Sequence, residues 1–127
     1  ISSIQVAASK AKIPLDKSKV ITMHVTTSIE DKKLELQKAV IDGQNIILIP
    51  RPWPKDPQKH FMPSEVAFYL KKNNFDTSKI SVHVFESLTN GKEQTFVGSV
   101  QDLEGKEFSD LSVMVISQTK PESYINF

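Results

Sequence analysis

The chain contains no cysteine and only four glycines among its 127 residues. The lack of cysteine excludes disulfides, thiolate nucleophiles and cysteine metal sites. It also fits the reducing cytoplasm, where we expect the protein. Four glycines are too few for a glycine-rich phosphate cradle, and no G-x-G-x-x-G, Walker A or G-x-S-x-G motif occurs. No apolar run approaches the roughly 18 residues of a membrane span, and no signal peptide is visible, so no membrane partner is expected.

Charge of neither sign dominates the chain. Its 16 basic and 15 acidic residues are mixed along the sequence, and the net charge is +1. A nucleic-acid-binding protein needs a clustered basic face, so no nucleic-acid partner is expected. A hydrophobic content of 39% with 24% charged residues is typical of a folded globular protein. The length suits one domain with its own core, which we predict over residues 1–127.

Hydrophobic periodicity predicts alternating helices and strands. Helices are predicted over residues 3–12, 28–41 and 99–105, and a further helix begins at Pro63. Strands are predicted over residues 20–24, 45–49 and 111–116. Two more strands are predicted between residues 81 and 99. The last two segments form a hairpin, which makes at least one strand pair antiparallel. The pattern therefore predicts an α/β fold with a mixed five-strand sheet flanked by about four helices.

The second predicted helix carries start and stop signals. Ser28 is a suitable N-cap, and Gly43 is a suitable stop because it tolerates the positive φ at which many helices end. Leu34, Ala39 and Ile41 are predicted to form part of its buried face.

The predicted hairpin is the most informative segment of the chain. It runs from Ser81 to Ser99 around an Asn90–Gly91 turn, and the acidic side chain of Glu86 lies where its first strand ends. Asn-Gly is a strong hairpin signal because both residues tolerate the positive φ of a tight turn. Ligands of α/β proteins usually bind where strands end, so this corner is predicted to belong to a binding site.

Histidine and serine residues suggest no catalytic centre at this stage. His24, His60 and His83 lie on different predicted elements, without the spacing of a zinc site, and are interpreted as structural histidines bonded to backbone or water. Ser2 and Ser3 have no matched base and acid for a hydrolase triad. No metal site is predicted, and no catalytic residue is assigned.

The proline-rich segment after the 45–49 strand holds two further candidates with open interpretations. Arg51, the only arginine in the chain, either clamps a carboxylate or lies on the surface of a stiff loop. Trp53 either stacks on a planar ligand or packs beneath its own loop. The residues by themselves indicate half of an α/β ligand-binding site and name no reaction.

Four stretches of the chain resemble the C-terminal part of the tetrapyrrole (corrin/porphyrin) methylases. These stretches are ISSIQVAASKAKIPLDKSKVITMH, NIILIPRPWP followed by MPSEVAFYL, FESLTNGKEQTFVGSVQDL and FSDLSVMVI. Within the family they most resemble the cobalt-precorrin-7 C5-methyltransferases (precorrin-6Y methylases) of cobalamin biosynthesis. The third stretch is similar to the pattern Glu-Asn-Leu-Gly…Asp-Glu, with Ser87 in place of Asn, Thr89 in place of Gly and Lys92 in place of Asp.

The resemblance implies a cofactor, a substrate and a site. S-adenosylmethionine would bind between two α/β domains, and its methyl group would pass to a carbon of a tetrapyrrole macrocycle. The resemblance places the following residues at the cofactor: Ile49, Pro50, Glu86, Ser87, Leu88, Ile116 and Ser117. The last two, at the end of the final strand, are expected to join the others in lining the cofactor.

The resemblance also implies that part of the enzyme is missing. The family's N-terminal domain, which carries the glycine-rich loop and most macrocycle contacts, has no counterpart in the sequence. We therefore expect the chain to be the C-terminal domain of a homodimeric methyltransferase, to fold, to be inactive by itself and to bind S-adenosylmethionine weakly. The alternative is a non-catalytic α/β interaction module that docks a partner through the 51–53 loop and the exposed hairpin edge.

Overall fold

A computed structural model of the chain describes residues 3–23, 28–50, 60–87 and 92–118. Three α-helices lie in these ranges: α1 (Ser3–Ala11), α2 (Ile29–Ile41) and α3 (Pro63–Lys72). Five strands lie there as well: β1 (Lys19–Thr22), β2 (Ile46–Ile49), β3 (Ser81–Glu86), β4 (Gln94–Ser99) and β5 (Ser112–Ser117). Short 3-10 turns occur at Leu15–Lys17, Thr77–Lys79 and Val100–Leu103. None of the described helices combines the length and the apolar character needed to cross a membrane.

The five strands form one mixed sheet in the order β1-β2-β5-β3-β4, which confirms the predicted fold class. β1 and β2 are parallel, and every other neighbouring pair is antiparallel. β1, β2 and β3 therefore run in one direction, while β4 and β5 run in the other.

The two faces of the sheet have separate cores because side chains alternate along each strand. On one face, α2 and α3 cover residues such as Leu48, Val84 and Met114. On the other face, α1 packs on β2 and β5 over residues such as Ile47 and Val115. The molecule thus has three layers, with helices on both sides of the sheet.

The predicted helix signals are confirmed. The Ser28 hydroxyl accepts a hydrogen bond from the Asp31 N–H at 3.4 Å at the start of α2, and Gly43 follows its end with φ of +71°. Pro63 is the first residue of α3, where a missing N–H costs nothing.

The fourth predicted helix is only a 3-10 turn, Val100–Leu103. Its two apolar residues, Val100 and Leu103, are both fully buried. Residues three apart line up in a 3-10 helix, so one such turn buries both of them and no longer helix is required.

The predicted hairpin is present as β3 and β4, which pair from Ser81 with Ser99 to Glu86 with Gln94. The Asn90–Gly91 turn lies outside the described residues, as do His24, Arg51 and Trp53.

Candidate functional site

Three strands end at the same edge of the sheet. β1, β2 and β3 run in the same direction and end there at Thr22, Ile49 and Glu86, and we call this the carboxyl edge. Because β5 runs in the opposite direction, it begins at this edge, with Ser112 paired to Glu86. The carboxyl edge is where α/β sheets usually bind ligands.

The predicted residues at the end of β2 lie at this edge. The side chain of Ile49 packs against the α1 core, and Pro50 is buried. The loop that continues from them lies outside the described residues.

The predicted corner at the end of β3 is tied to the loop that leads into β5. Oε2 of Glu86 accepts a hydrogen bond from the Ser109 N–H at 2.6 Å. The next residue, Ser87, donates its N–H to the Leu111 carbonyl at 2.9 Å. The Glu86 carboxylate therefore holds the loop before β5 in place. The predicted site residue Leu88 lies outside the described residues.

Ser87 has an unusual backbone, with φ of 60°. L-residues other than glycine rarely adopt this left-handed conformation, and asparagine is among those that tolerate it best. Such strain persists where the surrounding structure enforces it and is frequent at binding sites. In this protein, strain occurs at one of the residues predicted to line the cofactor.

Ile116 and Ser117 do not join the other predicted site residues. Ser117 pairs with Ser81, at the start of β3, so the end of β5 lies at the opposite edge of the sheet. The expectation assumed that the last strand ends beside the others, whereas β5 is antiparallel to β2 and β3. At that opposite edge, the Gln118 N–H donates to Oδ1 of the buried Asn45 at 2.8 Å. This bond links the residue after β5 to the residue before β2.

Ser112 is a further residue at the carboxyl edge, and sequence reasoning did not single it out. It is 3% exposed, and its buried hydroxyl has no hydrogen-bond partner among the described residues. Buried hydroxyls are nearly always paired, so a buried hydroxyl without a described partner at the carboxyl edge needs an explanation. No sequence signal marked it, because its position follows from the pairing of β5 with β3.

Three shallow depressions follow one another along this end of the molecule. The first, of about 280 Å³, lies between Glu86 and the loop at Lys106, Glu107 and Phe108. The second, of about 250 Å³, shares these three loop residues and extends to His60 and Glu65. The third, of about 380 Å³, shares His60 and Glu65 and lies between α2 and α3, where Lys33, Phe68, Tyr69 and Lys72 are among its lining residues.

The two described histidines have different surroundings. Nδ1 of His60 lies 3.0 Å from Oε1 of Glu65, a pair that sequence reasoning also missed. His83 stacks on Phe85 with a centroid distance of 5.7 Å, and burial lowers its pKa below 6.5. Within the described ranges, no three histidine, aspartate or glutamate side chains cluster as metal ligands would.

The family of tetrapyrrole (corrin/porphyrin) methylases has a sequence model that matches residues 1–104 of the chain. The chain belongs to this family. This match confirms the resemblance to tetrapyrrole methylases for the first three sequence stretches, while the fourth, residues 108–116, lies beyond the matched residues. A comparison with curated proteins finds no match.

Solved structures share the fold at low sequence identity. The methyltransferase CobJ is 14% identical with a TM-score of 0.72, over 94% of this chain and 48% of its own. The precorrin-6Y methylase CbiE from Archaeoglobus fulgidus is 18% identical with a TM-score of 0.57, over 94% of this chain and 47% of its own. A diphthine synthase is 12% identical with a TM-score of 0.57, over 91% of this chain and 45% of its own. The chain therefore spans about half the length of each of these proteins.

Proposed function

We propose that this tetrapyrrole methylase chain forms the C-terminal half of an S-adenosylmethionine cleft and serves methyl transfer to a precorrin macrocycle of cobalamin biosynthesis. The proposal depends above all on one observation. The carboxyl edge brings the predicted residues Pro50, Glu86 and Ser87 together with the buried hydroxyl of Ser112, which has no hydrogen-bond partner in the described part of the chain. Family membership and the likeness to CobJ and CbiE support a methyltransferase. The assignment to cobalt-precorrin-7 and its C5 position is the finer part of the proposal and comes from the sequence resemblance.

The residues at the carboxyl edge suit one side of such a cofactor. The Ser112 hydroxyl, which has no partner among the described residues, offers a hydrogen bond. The constrained backbone at Ser87 offers its main-chain carbonyl, and Phe96 in the first depression offers an apolar wall. Drug-sized ligands occupy pockets of roughly 300–1,000 Å³ that bury most of their surface. An open depression of about 280 Å³ is below that range, which fits half of a cleft.

The chemistry divides between the bound cofactor and the protein. When bound, S-adenosylmethionine supplies an electrophilic methyl group on its sulfonium. The protein then has to orient the acceptor carbon, exclude water and accept a proton, tasks that need positioned groups more than a nucleophile. Glu86 contributes by fixing the 106–111 loop through the Ser109 N–H.

The oligomeric state and location belong to the same proposal. The sequence resemblance implies a homodimer of two-domain subunits, and we infer this for the parent protein, in the cytoplasm. Sedimentation equilibrium on the two-domain protein tests the dimer.

The cofactor half-site makes a direct prediction for calorimetry. The 127-residue chain should bind S-adenosylmethionine only weakly, with a dissociation constant well above the micromolar range, since one wall of the cleft cannot enclose the ligand. Joining the chain to a family N-terminal domain should tighten binding by at least tenfold. The Ser112→Ala variant of the joined protein should lose a few-fold in affinity, and Ser117→Ala, whose buried hydroxyl lies at the other edge, is the matched control.

Two results would contradict this proposal. Low-micromolar binding by the isolated chain would show that it carries a complete site. Equal losses in Ser112→Ala and Ser117→Ala would place the ligand away from the carboxyl edge.

A docking role is the second candidate function, and one observation favours it. β4 is one of the two edge strands of the described sheet, and Val97 on it is 63% exposed. An exposed edge strand with an apolar side chain is a surface on which another protein can add a strand.

A further inference from the structure

A histidine and a glutamate form a fixed pair at the start of α3. Nδ1 of His60 lies 3.0 Å from Oε1 of Glu65. The same oxygen accepts the Met62 N–H at 2.8 Å, and Oε2 accepts the Ser64 hydroxyl at 2.9 Å. Three groups therefore hold the carboxylate, and the carboxylate in turn orients the imidazole.

This contact favours one tautomer of the neutral His60 ring. A neutral imidazole that donates Nδ1–H to a carboxylate carries its lone pair on Nε2. No described residue forms a hydrogen bond with that nitrogen, and the side chain is 35% exposed. His60 therefore presents a basic nitrogen to a ligand, oriented as the base in a catalytic pair is oriented by its acid.

The position of the pair connects it to the proposed cofactor corner. His60 and Glu65 line the second depression together with Lys106, Glu107 and Phe108. The same three loop residues line the first depression at Glu86. The imidazole and the corner thus lie on two sides of one loop, the loop that Glu86 fixes through Ser109.

On its other side, the pair borders a surface suited to a planar anion. The third depression contains His60, Lys33 and Lys72, and the Phe68 ring in it is 63% exposed. Nζ of Lys33 lies 5.6 Å from the centroid of the Tyr69 ring. Aromatic side chains pack against flat rings and lysines attract carboxylates, so a polycarboxylated macrocycle fits this surface.

We propose that His60, oriented by Glu65, is the proton acceptor in methyl transfer at the carboxyl edge. The proposal rests on the function proposed above. The acceptor carbon of the macrocycle supplies the electron pair for the new carbon–carbon bond, and the sulfur–methyl bond breaks with its pair remaining on sulfur. The ring system then loses one proton to Nε2 of His60, which becomes imidazolium. The positive charge of the sulfonium thus ends on His60, and atoms and charge balance.

Three other titratable groups in this part of the chain are less suited to the task. The Glu86 carboxylate is occupied by the Ser109 N–H. Nζ of Lys106 lies over the Phe96 ring at 5.2 Å, as a charged ammonium does. His83 stacks on Phe85, which packs in the α1 core on the other face of the sheet.

Nuclear magnetic resonance on the 127-residue chain provides a test that needs no turnover. Imidazole nitrogen shifts should identify the neutral His60 ring as the Nδ1–H tautomer. Addition of S-adenosylhomocysteine with uroporphyrin, a planar polycarboxylate, should move the His60 signals and leave those of His83 unchanged. A His60 ring in the Nε2–H form, or ligand shifts at His83 alone, would overturn the proposal.

Turnover by the two-domain enzyme provides the second test, with His83→Ala as the matched control. His60→Ala should lower kcat at least 100-fold, the usual range for losing a general base, and leave the KM for S-adenosylmethionine within about threefold. Added imidazole should restore part of the rate in His60→Ala and have no effect on His83→Ala, whereas a merely structural defect would not respond to imidazole. His60→Gln, which keeps a polar side chain, should be equally slow.

The outcomes separate this inference from the proposed function. An active parent enzyme whose His60→Ala variant keeps its rate, or loses it without rescue by imidazole, overturns the role of His60 alone. A two-domain enzyme that transfers no labelled methyl group to any macrocycle overturns the proposed function, and the inference with it.

Discussion

At the scale of single residues, Ser87 has a backbone conformation that costs free energy, and it lies at the candidate site. Its left-handed backbone, with φ of 60°, is stabilised by the N–H bond to Leu111 and by the neighbouring link from Glu86 to Ser109. The family pattern has asparagine at this position. Asparagine tolerates this region better than serine, so the departure from the pattern has a physical consequence.

Replacing Ser87 with asparagine should stabilise the fold. We expect Ser87→Asn to raise the free energy of unfolding by roughly 0.5–1 kcal/mol, because the native backbone then costs less. Asn74, with φ of 70°, allows the reverse experiment, and Asn74→Ser should lose a similar amount. Urea unfolding measures both changes. A destabilised Ser87→Asn variant would show that the serine side chain makes a compensating contact.

At the scale of elements, α2 shows how two apolar stripes compete within one helix. Leu34 and Ile41 were predicted to face the core, but they are 62% and 66% exposed. Leu36, Val40 and the correctly predicted Ala39 are buried instead. Leu34 and Leu36 are two residues apart and so lie on nearly opposite sides of the helix. The periodicity allows either stripe, and packing against the sheet selects one.

Two of the 3-10 turns are capped by aspartate side chains, and these caps make the free energy of unfolding depend on pH. The Ser99 backbone N–H holds the pKa of Asp102 below its usual 3.8, and the Ser78 hydroxyl does the same for Asp76. Each carboxylate has a lower pKa in the folded chain than in the unfolded one. Their stabilisation is therefore complete above the unfolded pKa and is lost as the pH falls through the folded pKa.

The Asp102 cap can be tested by unfolding at several pH values. Wild type should exceed Asp102→Asn in unfolding free energy at neutral pH, and the difference should shrink as the pH falls below about 4, where the unfolded carboxyl becomes protonated. Asp76→Asn should behave in the same way. A difference that stays constant down to pH 2 would mean that the charge of Asp102 does not stabilise the turn.

At the scale of the whole molecule, the two faces of the sheet are covered unequally. α2 and α3 cover one face, while α1 packs on β2 and β5 of the other. Val97 on β4 is left 63% exposed on the α1 side. We propose this outer part of the sheet as the surface that the inferred homodimer or a docked partner would use.

A charge at Val97 tests that surface. Val97→Lys should change the free energy of unfolding by no more than about 0.5 kcal/mol, as expected for an exposed position. It should weaken self-association of the two-domain protein at least tenfold in sedimentation equilibrium. Leu34→Lys, at a comparably exposed site on α2, is the matched control. Unchanged association in Val97→Lys would exclude this strand from the interface.

Local sequence signals determined much of this protein. The Ser28 cap, the Gly43 stop, Pro63 and the apolar runs of the strands depend on neighbouring residues alone, so the α/β class and the five strands could be predicted. The family was identified separately, from the resemblance of the sequence stretches to tetrapyrrole methylases. The same signals located Pro50, Glu86 and Ser87 at strand ends.

Only the tertiary structure decided which of these ends meet. The antiparallel direction of β5 moves Ile116 and Ser117 to the far edge and brings Ser112 beside Glu86. The pairing of His60 with Glu65 depends on how the chain enters α3. The depressions between His60 and Glu86 depend on the position of the 106–111 loop. Strand direction and loop position arise from contacts between residues far apart in sequence, and a single sequence does not encode such contacts in any local pattern.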